Sequence, residues 1–268
     1  MMVSLICLSF DVEEWDSPAV FGVESEHTMS DVFSARGLRS LIDLLNKHGI
    51  RASFFVTGVF ARNYPGIVGE LVAEGHDVGC HANEHIDLKG MDADRLMKEI
   101  KAGMDSVQAA SGIRPKGFRS PRNSVNPRLY DVLSDLEFEY DSSIHPAVLP
   151  GRMLDVMQPR GVRTFGKIVE VPMSTLLGLP ISWWWMRNIG LWYTKLGCRV
   201  SLALRGYSLL YFHPWEFTDL PYVKGLPSHM TKGVGKKALA DLEGLIIFFK
   251  KRGIGFGTVP DIIAAKGF

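Results

Sequence analysis

Residues 34–56, SARGLRSLIDLLNKHGIRASFFV, change their period halfway along. Leu38, Leu41, Ile42 and Leu45 recur on one face of a helix over Ser34–His48, with Ser34 as the expected N-cap and Gly49 as its end. RASFFV then reads as a short buried strand over Arg51–Val56. Upstream, Val3–Phe10 (VSLICLSF) is another strand, so the first 56 residues spell strand, helix, strand, the unit of a parallel sheet with a covering helix. The rhythm continues with helices over Pro65–Glu74, Ala93–Ala110 and Leu239–Lys251. Strands are expected over His76–Cys80, Lys116–Arg119, Glu137–Asp141, Ile168–Val171, Ser208–Phe212 and Ile254–Val259. Seven or so such units in 268 residues, with no long linker, predict one α/β domain closed as a (β/α) barrel. One stretch breaks the pattern: Thr175–Tyr193 carries Trp183, Trp184, Trp185, Trp192 and Tyr193, and residues 175–205 read as an aromatic-rich insertion.

Composition narrows the function. The chain is 46% hydrophobic with 30 basic and 29 acidic side chains, which excludes a disordered chain and the strongly basic face that nucleic acid requires. No run of about 18 uncharged apolar residues predicts a membrane-spanning helix. The first residues lack the basic start and small-residue cleavage site of a signal peptide. Cys7, Cys80 and Cys198 are odd in number and widely spaced, so a reduced, cytoplasmic setting is expected.

Reactive side chains gather just beyond the expected strands, where a barrel carries its catalytic loops. After the first comes Asp11-Val12-Glu13-Glu14-Trp15, and along an extended chain Asp11 and Glu13 share a side. The plain alternative is a surface turn with scattered acids. After the third comes His81-Ala82-Asn83-Glu84-His85, two histidines at i and i+4 that could meet on one helical turn. Two imidazoles and a carboxylate with an open position form the ligand set of a hydrolytic zinc-type site. After the fourth comes Phe118-Arg119-Ser120-Pro121-Arg122-Asn123, where the Arg119 guanidinium could hold Asp11 by two parallel hydrogen bonds, unless it is an ordinary surface arginine. His213, in Tyr211-Phe212-His213-Pro214-Trp215-Glu216, has the chemistry to donate a proton to a leaving amine, with a satisfied core histidine as its competitor.

Taken in order, SFDVEEW, RASFFVTG, EGHDVGCHANEH, FRSPRNS, EYDSSIHP, VEVPMST and LLYFHPWEF resemble the polysaccharide deacetylases of the NodB-homology group, carbohydrate esterase family four. The combination YDSS, EVP and FHPWE looks most like the branch associated with bacterial exopolysaccharide and cell-envelope gene sets. The resemblance implies a distorted barrel of about seven parallel strands and a divalent metal, zinc first, with cobalt, nickel or iron as alternatives. It implies Asp11 as catalytic base, His81 and His85 as metal ligands, Arg119 as the tether of the base, Asp141 as the acid that tunes the donor, and His213 as general acid. The backbone N–H of Arg122 matches an oxyanion donor. Where the common pattern has adjacent acids, Asp-Asp-Gly, this chain has Asp11-Val12-Glu13; Glu13 is the expected third ligand, with Glu14 pointing to the other face. Arg122 replaces an aromatic residue and suits an anionic or phosphorylated substrate.

The implied activity is removal of an N-acetyl group from an amino sugar in a polysaccharide or glycolipid precursor. Two other readings are a deformylase or other C–N amide hydrolase, and a catalytically silent carbohydrate-binding barrel. Trp215, with Glu216 as a polar neighbour, is the first candidate for substrate contact. The cluster around Trp184 could stack on sugar, rest on a lipid surface at the inner face of the membrane, or cap the core.

Overall fold

The computed structural model describes residues 4–26, 32–148 and 153–268. Its strands are β1 (Leu5–Val12), β2 (Ser53–Val56), β3 (Asp77–Cys80), β4 (Gly117–Phe118), β5 (Tyr140–Asp141), β6 (Arg163–Phe165), β7 (Ile168–Glu170), β8 (Thr175–Leu176), β9 (Leu179–Pro180), β10 (Tyr207–Phe212) and β11 (Gly255–Gly257). The helices are α1 (Ser17–Val20), α2 (Val32–His48), α3 (Gly58–Asn63), α4 (Pro65–Ala73), α5 (Ala93–Ser111), α6 (Leu129–Asp135), α7 (Trp183–Ile189), α8 (Leu191–Arg205), α9 (Ser228–Thr231), α10 (Lys236–Lys250) and α11 (Val259–Lys266). Val3, the first residue of the expected strand, lies outside the described residues.

The main sheet runs β10-β1-β2-β3-β4-β5-β7-β6, with β11 also beside β1. Its strands are parallel from β10 round to β7, seven in all, and only the β6–β7 hairpin is antiparallel. β11 and β2 share one edge of β1, pairing with Leu5–Cys7 and Ser9–Val12 respectively. Between β7 and β10 the wall is irregular because Pro172 has no N–H to give a ladder. Residues 171–174 bridge the gap instead: the N–H groups of Val171, Met173 and Ser174 donate to Asp141, Ile144 and Leu209 at 2.9, 3.0 and 3.0 Å. The result is a curled, distorted (β/α) barrel.

β1 explains how the barrel acquires a reactive end. Its alternation sends Ile6, Leu8 and Phe10 outward, into the core shared with Leu38, Leu41 and Leu45 of α2. Leu5 and Cys7 face the barrel interior with Phe55, Tyr140 and Leu209. The next interior positions are Ser9 and Asp11, so the same period places polar groups at the C-terminal rim.

Two local expectations change. α2 begins at Val32, so Ser34 lies within its first turn and is not the cap. The Ser34 hydroxyl donates instead to the carbonyl of Glu13, pinning the loop after β1 to the helix. Residues 175–205 are not one inserted unit: Tyr193 and Cys198 of α8 share the main core with Leu210 and Phe212 of β10, as a covering helix does. Within residues 175–205, the β8–β9 hairpin and α7 are the parts that depart from the barrel rhythm. Among the described residues, no helix is long and apolar enough to cross a membrane.

Candidate active site

Asp11 closes the interior row of β1 and is buried. Arg119, one residue past β4, continues the ladder by donating its N–H to Cys80 O at 3.0 Å, and its side chain is fully buried. Its Nη1 donates to Asp11 Oδ1 at 2.7 Å and to Ser9 Oγ at 2.9 Å. Nε and Nη2 donate to the carbonyl and hydroxyl of Ser142 at 2.9 and 3.0 Å, and the guanidinium lies 4.2 Å from the Phe55 ring centre. The contact with Asp11 uses one nitrogen, not the two-pronged fork, because the other nitrogens hold Ser142.

Glu13, His81 and His85 are buried, and one ligand atom from each lies within 4.8 Å of the others. Glu13 Oε2 is 3.4 Å from His81 Nε2 and 2.8 Å from His85 Nε2. The histidines do not meet on a helical turn. His81 extends β3, donating its N–H to Val56 O at 2.9 Å, and Ala82 then takes a left-handed φ of 60° that swings the chain round. The two rings face each other at 5.6 Å.

The far nitrogens settle the ring orientation. His81 Nδ1 lies 2.7 Å from the Arg119 carbonyl and His85 Nδ1 lies 2.9 Å from Asp16 Oδ2. A carbonyl and a carboxylate only accept, so each Nδ1–H donates and each Nε2 is turned toward Glu13. Burial alone would raise the Glu13 carboxyl, but His85, His213 and His81 outweigh it and hold it well below the usual range. His85 is the counterpart: burial opposes its charge, yet Glu13 and Asp16 push it up to about 10. Among the described residues, the buried His81 Nε2 has no well-aligned hydrogen-bond partner, and Glu13 Oε2 has only the close approach of His85 Nε2 at 2.8 Å. Two oriented imidazoles and an ionised carboxylate converging on one point fit a divalent cation of the zinc kind.

His213 follows β10. Its ring stacks on Trp215 at 5.0 Å and meets the edge of Trp183 at 4.9 Å, with Nε2 3.8 Å from Glu13 Oε1. Nδ1 lies 3.2 Å from Glu216 Oε1, which also accepts the His213 backbone N–H at 2.9 Å. Burial would lower the pKa of this ring, but Glu13 and Glu216 together push it up. The carboxylate on the ring is therefore Glu216, and the expectation for Asp141 is corrected. Asp141 Oδ1 accepts from Ser143 Oγ at 2.6 Å, and the carboxyl is paired with Glu170. Burial raises both acids, most strongly Glu170, where the charge of Asp141 adds to it. The place of the pair is beneath the turn whose Ser142 holds Arg119.

Asp11, Glu13, His85 and His213 line one cavity of about 520 Å³, within the range of small-molecule sites. Arg122, Trp184 and Trp215 line it too. Trp215 is almost wholly buried, with its ring given over to His213, whereas Trp184 is partly open. Arg122 holds a left-handed φ of 57° and pairs with Asp16 at 3.2 Å. Ala82, Arg122, Asn123 and Trp183, four of the six described non-glycine residues with positive φ, flank this site, where strained backbone tends to collect.

Sequence reasoning missed Asp16, Arg187, Ser9 and Ser142, which act on the side chains it named. Only the first had a local signal: DVEEWD has a fourth acid, five residues beyond the base. Glu216 was named as a neighbour of Trp215, not as the partner of His213.

Comparison with known proteins adds the following. A family model for polysaccharide deacetylase matches residues 28–140, which include His81, His85 and Arg119 but not Asp11, Glu13 or His213. An uncharacterised 30.6 kDa protein of Geobacillus stearothermophilus is 40% identical over 89 residues, 33% of this chain and 34% of that one. The peptidoglycan-N-acetylmuramic acid deacetylase PdaA of Bacillus subtilis is 31% identical over 85 residues, 32% of each chain. The match thus spans about a third of the length of these curated relatives. A solved structure of a candidate polysaccharide deacetylase from Mycobacterium smegmatis superposes with a TM-score of 0.71 over 98% of this chain and 90% of that one. At 19% identity that likeness speaks to the fold.

Proposed function

Since the chain belongs to the polysaccharide deacetylase family, we propose that it is a metal-dependent hydrolase that removes N-acetyl groups from an amino sugar. The observation that carries this reading is the convergence of an arginine-tethered carboxylate, a Glu-His-His cluster and a carboxylate-backed histidine on one cavity. Glu13, His81 and His85 would hold the ion, zinc in our reading. A divalent cation supplies Lewis acidity there, polarising the acetamide carbonyl and lowering the pKa of water.

The remaining work falls to side chains of the protein. Arg119 fixes one oxygen of Asp11, leaving the other to take the proton of the attacking water. The Arg122 N–H is our candidate donor to the carbonyl oxygen as negative charge develops on it. His213 gives its Nε2 proton to the departing nitrogen; with Nδ1–H on Glu216, a second proton at Nε2 makes the ring a cation that the carboxylate stabilises. The C–N bond breaks as nitrogen gains that proton, and free amine and acetate leave.

The cavity wall supports a finer reading. Val20, Phe21 and Val148 line it yet remain exposed, forming an apolar margin around the reactive groups. Such a margin suits a lipid-linked amino sugar met at the inner face of a membrane, with Trp184 against the sugar and Arg122 near an anionic linkage.

The test is acetate release from N-acetylglucosamine oligomers, peptidoglycan fragments and a lipid-linked N-acetyl sugar by zinc-loaded protein, with N-formyl analogues in parallel. Turnover favouring the lipid-linked substrate supports the reading. Turnover of formyl but not acetyl substrates replaces it with a deformylase, and binding without turnover leaves a carbohydrate-binding barrel.

A further inference from the structure

The geometry points to Arg187, in the tryptophan-rich helix α7, as a positioning residue for the proton donor of the reaction. This inference rests on the hydrolase reading of the site. Arg187 is 26 residues from His213 in sequence and does not line the cavity, yet its charged end is buried beside Glu216, with Nε donating to Glu216 Oε2 at 2.8 Å. Nη1 donates to the carbonyls of Lys232 and Met230 at 2.6 and 3.2 Å, which ties the guanidinium to α9 and the residue just after it.

Glu216 is thereby held at both ends. Oε2 is bound to Arg187, while Oε1 accepts from the backbone and ring of His213. A carboxylate with one oxygen free could rotate or capture a proton; one bound at both oxygens keeps Oε1 facing Nδ1 and keeps the mobile proton on Nε2, toward the cavity. Trp183, one turn before Arg187 on the same helix, meets the His213 ring edge at 4.9 Å, while Trp215 stacks on its face. α7 therefore reaches the donor twice, once through a ring and once through a charge. The tryptophan segment thus gains a role besides capping the core or touching sugar or lipid: it holds the acid.

The consequence is selective. A positioning residue for the acid matters when the leaving group needs a proton and matters little when it does not. Zinc-loaded wild type, Arg187→Met and Arg187→Lys are compared on an N-acetylglucosamine oligomer, whose amine must be protonated, and on 4-nitrophenyl acetate, whose phenolate leaves unaided. Arg187→Met should lower kcat on the acetamide by roughly 10–100-fold, as loss of an orienting partner does and short of the roughly 100–10,000-fold that the acid itself supplies, with KM within about twofold and ester turnover within about threefold. Arg187→Lys, a point donor without the fork, should recover part of that loss.

Removing one partner of a buried ion pair strains folding, so Arg187→Met/Glu216→Gln, which leaves no orphan charge, is measured too. Because it also lacks the carboxylate on His213, it should be impaired on the acetamide at least as much as Arg187→Met; an acetamide rate above that of Arg187→Met would reduce Arg187 to charge balance and overturn the proposal. A second readout needs no turnover: in protein with 15N-labelled histidine, the Nδ1 proton of His213, identified by its loss in His213→Gln, should exchange faster in Arg187→Met. An unchanged signal, or equal losses on amide and ester, overturns the positioning role. Failure of wild type on every substrate overturns the hydrolase reading, while the Nδ1 signal still decides whether Arg187 orients His213.

Discussion

Individual side chains here divide the work between holding a cation and moving protons, and substitutions should separate the two. His81→Ala should abolish metal binding and turnover together, because it removes one of three buried donors. Asp11→Asn should keep the metal, since Asp11 is bound to Arg119 and lies outside the cluster, but lose at least about 100-fold in turnover. Metal content by mass spectrometry beside acetate release checks both. A third residue sets acid tolerance. His76 is buried against Phe54, and its Nδ1 accepts the Ala52 N–H at 3.2 Å. Burial, with Arg51 adding, pushes its pKa down to about 4. The unfolded chain therefore takes up a proton near pH 6.5 that the folded chain refuses, so stability is full above that pH and falls toward pH 4. His76→Gln should flatten this decline, worth roughly 3 kcal/mol at most, in urea titrations across the interval.

At the scale of elements, the reactive loops depend on how closely helices approach them. A Cβ on Gly37 of α2 would lie 1.8 Å from the Pro214 carbonyl oxygen, inside the loop that carries His213. One on Gly103 of α5 would lie 2.3 Å from the Ala82 carbonyl, at the turn between the metal-site histidines. Both neighbours are backbone and cannot swing aside. Gly37→Ala should cost about 1–3 kcal/mol of stability and lower kcat with metal content unchanged. Gly103→Ala should cost a similar amount and weaken metal affinity; thermal unfolding and metal titration distinguish them. Part of this was legible beforehand. The periods of β1, α2 and β2 show in the apolar spacing, and the strand ends correctly locate Asp11, His81, Arg119 and His213. The capping role of Ser34 and the helical turn for His81–His85 were misread because neighbours override local preference: a carbonyl 21 residues away claims the serine, and a left-handed alanine turns the histidine loop.

Over the whole molecule, Glu13 on the loop after β1 and His81 and His85 on the loop after β3 join two segments that meet only in the folded chain. A cation bound there favours the native state, so chelation should lower the unfolding temperature, and zinc at a hundredfold excess over its Kd should restore about 3 kcal/mol. Differential scanning calorimetry with and without chelator measures this; no change would mean the cluster is not a metal site. By itself the sequence determined the barrel class, from short apolar runs alternating with helix-period segments, and the residue types at its C-terminal rim, because strand ends can be read from local apolar runs. Only the tertiary structure decided which acid serves His213. Glu216 and Asp141 are both carboxylates near strand ends, and the pairing depends on which ring nitrogen each oxygen can reach. It likewise decided that Arg187, 29 residues before Glu216, shares that carboxylate, since a buried ion pair between distant segments leaves no trace in local spacing.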